Sequence, residues 1–104
     1  MAVFLVTFDH PDEAAWQQWV RPHVDWIRQQ VDDGAVVASG PSVGTPVRQG
    51  LLVMRADDET ALRKIIRTDP FWPNGVIENL RITEWDPFFG AFSELSSNPD
   101  GPSL

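Results

Sequence analysis

Apolar residues dominate the first eight positions and then recur with a changing period. Val3, Leu5 and Thr7 alternate with Phe4, Val6 and Phe8, so a strand over residues 2–8 carries apolar side chains on both faces. Asp9-His10-Pro11-Asp12 ends it with turn chemistry, and Asp12 is placed to cap a helix opening with Glu13-Ala14-Ala15-Trp16. The helical stretch runs to about Asp33 and stops at Gly34, a glycine where a helix C-terminus needs positive φ. Pro22 interrupts it: either the helix kinks there, or a second helix begins with Pro22 in its first turn. Val24, Ile27 and Val31 recur at helical spacing and mark the expected buried stripe.

A second strand spans Ala35 to Ser39 and ends in the turn-rich run from Gly40 to Pro46. Gly50 to Arg55 is a third strand, again apolar on both faces. Asp57 or Asp58 caps a second helix that carries Leu62, Ile65 and Ile66 and ends near Thr68-Asp69-Pro70. The fourth strand, Val76 to Trp85, is interleaved with polar residues: Glu78, Asn79, Arg81, Thr83 and Glu84.

The order β-α-β-β-α-β predicts an α+β fold of the ferredoxin-like, split β-α-β kind, with one antiparallel sheet and both helices on one face. That topology puts the first and third strands in the middle, which suits their two apolar faces, and leaves the polar fourth strand at an edge. The sheet face away from the helices needs a cover. A homodimer packed through it, aided by the Phe88–Phe92 segment, is the simplest one. Residues 1–88 are expected to form the domain and 89–104 a C-terminal segment and loose tail. Phe88, Phe89 and Phe92 are the expected anchors of the first half of residues 86–104, with little to hold Ser96 to Leu104.

Charge narrows the partners. Eight basic against fifteen acidic side chains give a net charge of -7, and Lys64 is the single lysine, so no basic patch for nucleic acid or an anionic membrane can be assembled. With no cysteine, disulfides, thiolate catalysis and Cys-type metal sites are excluded. The apolar start lacks a basic leader and is shorter than the roughly 20 residues that span a bilayer, so a cytoplasmic protein is expected. Two histidines without ligand spacing, and carboxylates grouped at helix ends, predict no metal; no glycine-rich phosphate loop predicts no nucleotide cofactor.

Candidate chemistry centres on the histidines. His10 sits in a turn and is expected to be solvated. His23 lies beside the apolar stripe with Trp19 and Trp26, at the boundary of helix and sheet, where it is partly desolvated. Asp69, before Pro70 at a helix C-terminus, is either a turn-former or a carboxylate held for a purpose. Ser39-Gly40-Pro41 closes the second strand, where a glycine admits close approach and nearby amides could receive an oxyanion. Taken singly, each of these residues is accounted for by a structural role.

Three segments in order change that balance. Arg21-Pro22-His23-Val24-Asp25-Trp26-Ile27, Ala38-Ser39-Gly40-Pro41 and Asp69-Pro70-Phe71-Trp72-Pro73-Asn74-Gly75-Val76 together resemble the YciI-like (YCII-related) family, over residues 1 to about 88. The resemblance implies a ferredoxin-like dimer with pockets near the subunit interface, and an active-site pair formed by His23 and Asp69. The family includes a dehydrochlorinase acting on chlorinated hydroxyhydroquinones. Trp72-Pro73-Asn74 departs from the family's usual small residues, and the chain after Trp85 is longer. The resulting expectation is a cofactor-independent enzyme in which Asp69 orients His23 for proton transfer on a small cyclic or aromatic substrate. Ser39, Gly40, Pro41, Phe71, Trp19, Trp26 and Trp72 would bind that substrate. A non-catalytic small-molecule-binding dimer, and an enzyme like the dimeric α+β barrel monooxygenases or muconolactone isomerases, are the alternatives.

Overall fold

A computed structural model describes residues 1–101 and consists of two helices against one four-stranded antiparallel sheet. In chain order the elements are β1 (Ala2–Asp9), α1 (Glu13–Asp32), β2 (Val36–Pro41), β3 (Gln49–Ala56), α2 (Glu59–Ile66) and β4 (Glu78–Trp85), followed by a short 3-10 turn at Ser93–Leu95. The sheet order is β2-β3-β1-β4, so the two strands with two apolar faces are central, as their pattern predicts. β2 ends two residues beyond the predicted strand and β4 begins two residues later.

Local sequence sets most helix boundaries. Asp12 and Asp58 cap α1 and α2 by accepting from the Ala15 and Ala61 amides at 3.0 and 2.8 Å. At the end of α1, Gly34 takes φ +80 while the Gly34 amide bonds the Val31 carbonyl and the Ala35 amide bonds that of Gln30. This paired closure is the Schellman arrangement. Of the two readings of Pro22, a second helix beginning there is overturned: α1 is assigned unbroken, with Pro22 in its interior.

β1 pairs with β3 without a break from Ala2↔Ala56 to Asp9↔Gln49. Its pairing with β4 shifts between Thr7 and Asp9, beside Asn79, which takes φ 50 and donates to the Asp9 carboxylate at 2.9 Å. The bulge re-aims the end of β1 where the candidate site begins.

The core lies on the helix side of the sheet. Phe4, Val6, Phe8, Leu52, Met54 and Ala56 pack against Trp26, Leu62 and Ile66. The predicted stripe of α1 needs correction. Val24 and Val31 are 37% and 49% exposed, and Trp26 is the buried residue of that helix, because the face turned to the sheet is rotated toward His23 and Trp26. On the other sheet face Leu51 and Trp85 stay partly exposed. The C-terminal anchors also differ from those expected. Phe89 is 75% exposed, whereas Pro87 and Ser96 are buried, and Asp86 accepts hydrogen bonds from the Ser96 and Ser97 hydroxyls. Those bonds hold the Asp86 carboxyl below its usual range. Residues 102–104 of the expected loose tail lie outside the described residues.

Candidate active site

One loop after α2 builds the polar centre. Asp69 follows the helix cap at Arg67, and its side-chain oxygen accepts the Phe71 amide at 2.9 Å, an Asx turn that suits an Asp-Pro pair. The same carboxylate lies 2.9 Å through each oxygen from Nδ1 of His23, 46 residues away on α1. Turn-former and partner of His23 are therefore the same residue. Asp69 is fully buried and the His23 side chain is 14% exposed.

Aromatic packing holds the imidazole. Phe71, fully buried, stacks on His23 with ring centroids 4.0 Å apart and planes 8° from parallel. Trp26 lies 6.0 Å away at 26°, and its indole N–H donates to the Thr68 hydroxyl at 2.7 Å. With Nδ1 turned inward to Asp69, Nε2 is left to the cleft that His23 lines.

That cleft, about 430 Å³, lies between the middle of α1, from Trp16 to Ile27, and residues of β1, β2 and β3. Its polar edge includes His10, His23, Ser39, Arg48 and Gln49, and its apolar walls include Phe8, Trp16, Val20 and Leu52. Ser39, Gly40 and Pro41 also line it. A Cβ at Gly40 would meet nothing within 4 Å, so packing does not demand that glycine. The expected aromatic walls are corrected: Trp19, Trp26 and Trp72 do not line the cleft, and Phe71 backs His23 from the interior. Trp16 takes their place, with the Arg48 guanidinium 3.6 Å over its ring and a 3.1 Å ion pair from Arg48 to Glu13.

His10 overturns its reading as a solvated turn residue. It is 4% exposed, Nδ1 donates to the Val76 carbonyl at 2.8 Å, and the ring meets Phe8 and Phe71 edge-on at 5.1 and 4.9 Å. Burial holds its pKa below the ordinary histidine range, against an opposing pull from the Val76 carbonyl. The sequence offered little warning, because the partner that buries His10 is 66 residues away. Gly50 was also missed: a Cβ there would stand 3.3 Å from the Phe8 ring. Among the described residues no group of three or more histidine or carboxylate side chains is arranged to hold a metal, and no helix is long and apolar enough to cross a membrane.

Sheet order, helix placement and connectivity define the ferredoxin-like fold of dimeric α+β barrel-type proteins. The chain belongs to the YCII-related domain family, whose model matches residues 1–86. Among solved structures it is similar to 5-chloro-2-hydroxyhydroquinone dehydrochlorinase from Burkholderia phenoliruptrix in complex with 2,5-dihydroxybenzoquinone (TM-score 0.69, 15% identity, covering 81% of this chain and 93% of that one). It is also similar to a candidate antibiotic biosynthesis monooxygenase from Deinococcus radiodurans (TM-score 0.56, 13% identity, 88% and 96%). At these identities the likeness concerns the fold. No curated protein matches the sequence.

Proposed function

We propose that this protein is a small cofactor-independent enzyme that moves a proton on a small cyclic or aromatic substrate, in a lyase, dehydrochlorinase or isomerase type of reaction. The observation that carries the reading is the 2.9 Å contact of a fully buried Asp69 carboxylate with Nδ1 of His23. A carboxylate on Nδ1 keeps the proton there and leaves the Nε2 lone pair as the base. Phe71, stacked on the ring, and the Asx turn that fixes Asp69 hold this geometry before a substrate arrives. Proton transfer between imidazole and substrate needs no cofactor.

The cleft volume suits one ring with small substituents. In this reading amides near Gly40 face the charge that develops on a substrate oxygen, and Trp16 and Val20 exclude water. The working form is a cytoplasmic homodimer packed through the sheet face opposite the helices, where Leu51 and Trp85 remain partly exposed. The fold-level likeness to the dehydrochlorinase makes chlorinated hydroxyhydroquinones the first substrates to assay. The fold-level likeness to the candidate monooxygenase supports a second reading, and the His23–Asp69 contact favours acid–base chemistry over it.

The test is turnover of a panel of small ring substrates, 5-chloro-2-hydroxyhydroquinone among them, by the wild type and by His23→Ala. The substitution is expected to lower turnover by about 10²–10⁴-fold. Unchanged turnover in His23→Ala would remove the proposal. Melting shifts with no product across the whole panel would replace catalysis with ligand binding.

A further inference from the structure

The cleft holds a second imidazole whose polarity is fixed as firmly as that of His23. A carbonyl oxygen can only accept, so the 2.8 Å contact with Val76 places the His10 proton on Nδ1 and leaves Nε2 as an acceptor. Among the described residues neither His10 Nε2 nor His23 Nε2 has a hydrogen-bond partner, and Arg55 Nε is the one buried side-chain polar atom that is both unpartnered and sealed. His10 Nε2 is therefore open to the cleft that its residue lines.

Gly50 keeps the space beside it free. A Cβ at position 50 would lie 3.8 Å from His10 Nε2 and 3.3 Å from the Phe8 ring, and Gly50 itself lines the cleft. One loop sets both rings: Asp69 and the Val76 carbonyl take the two Nδ1 protons, and Phe71 packs face-on against His23 and edge-on against His10. Two ring nitrogens without a protein hydrogen-bond partner thus border one largely apolar cavity. An acceptor left unpaired there favours a ligand that brings a donor.

We propose that His10 is a second ligand-contacting residue, whose Nε2 accepts a hydrogen bond from a substrate hydroxyl or N–H, making it a specificity determinant for ring substrates that carry such a donor apart from the position His23 deprotonates. The inference rests on the cleft being the substrate site, and it does not depend on turnover. The lowered pKa of His10 supports it, because an imidazole that stays neutral keeps its acceptor at neutral pH.

The test uses anisole, phenol and resorcinol, which present zero, one and two hydroxyl donors on the same ring. Binding is read from quenching of tryptophan fluorescence, with Trp16 in the cleft wall as reporter. Resorcinol is expected to bind wild type at least about fivefold more tightly than phenol, a difference of one net hydrogen bond. In His10→Phe the ratio of resorcinol to phenol affinity falls to about one. As a check needing no variant, long-range ¹H–¹⁵N spectra of the wild type should show His10 Nε2 as an unprotonated nitrogen whose resonance moves on adding resorcinol.

An Nε2 that is protonated, or that ignores resorcinol while the ligand binds, overturns the proposal whether or not His10→Phe folds. An undiminished resorcinol preference in folded His10→Phe, with His23-dependent turnover intact, removes the role of His10 and leaves the proposed function standing. If no ring ligand quenches the wild type, both fail together.

Discussion

The two helices treat the same sheet face in different ways. The eight-residue α2 buries Leu62 and Ile66 almost completely, while the twenty-residue α1 buries Trp26 alone. Leu62 and Ile66 of α2 belong to one buried apolar cluster with Met54 and Ala56. α1 instead borders the cleft along its middle, through Trp16, Val20, His23, Val24 and Ile27. The opening between Val20, His23 and the β1–β3 ends is the cleft. A helix that seals contributes stability; a helix that borders a cleft leaves room for a ligand and presents His23 to it.

The contrast can be broken most sharply in α2. Leu62→Ala removes a fully buried side chain and should lower unfolding free energy by about 2–5 kcal/mol, read from urea denaturation. A loss near zero would mean that α2 does not close the core.

The cleft side should show its difference in pH. The folded-state pKa of His10 lies below the 6.5 of a free histidine, mainly through burial, with His23 and Arg48 pushing the same way and the Val76 carbonyl and Asp69 opposing. As pH falls below 6.5 the unfolded chain takes up this proton before the folded one does, so stability is lost with acid through that window and is unaffected above it. Denaturation midpoints measured between about pH 7 and pH 5 should fall more steeply for wild type than for His10→Phe. Equal slopes would mean that His10 is solvated after all.

The smallest effect belongs to the residue that periodicity alone would bury. Val31→Ser on the exposed side of α1 should change stability by no more than about 0.5 kcal/mol in the same urea assay. A loss of several times that would restore the Val24–Ile27–Val31 stripe.

Much of the fold was legible because its causes are local. Two apolar faces suited β1 and β3 to the centre of the sheet, Asp12 and the Asp57-Asp58 pair announced helix starts, and Gly34 announced the end of α1. The pairing of His23 with Asp69 was reachable only through the ordered motifs, since nothing local links residues 46 positions apart. The orientation of α1 was misread because its apolar residues do not form one clean stripe. Trp26 outweighs Val24 and Val31 when a single broad face must be chosen.

The sequence by itself determined the element order, the caps, the central and edge strands and the acidic, lysine-poor surface. Each of these follows from neighbouring residues or from composition. Tertiary structure alone decided which side chains meet. It buried His10 against the Val76 carbonyl, stacked Phe71 on His23, and put Trp16 in place of Trp19, Trp26 and Trp72 on the cleft wall. The physical reason is that desolvation and hydrogen-bond pairing act between groups distant in the chain, and a loop such as Asp69–Val76 acquires its partners only when the sheet and helices have packed around it.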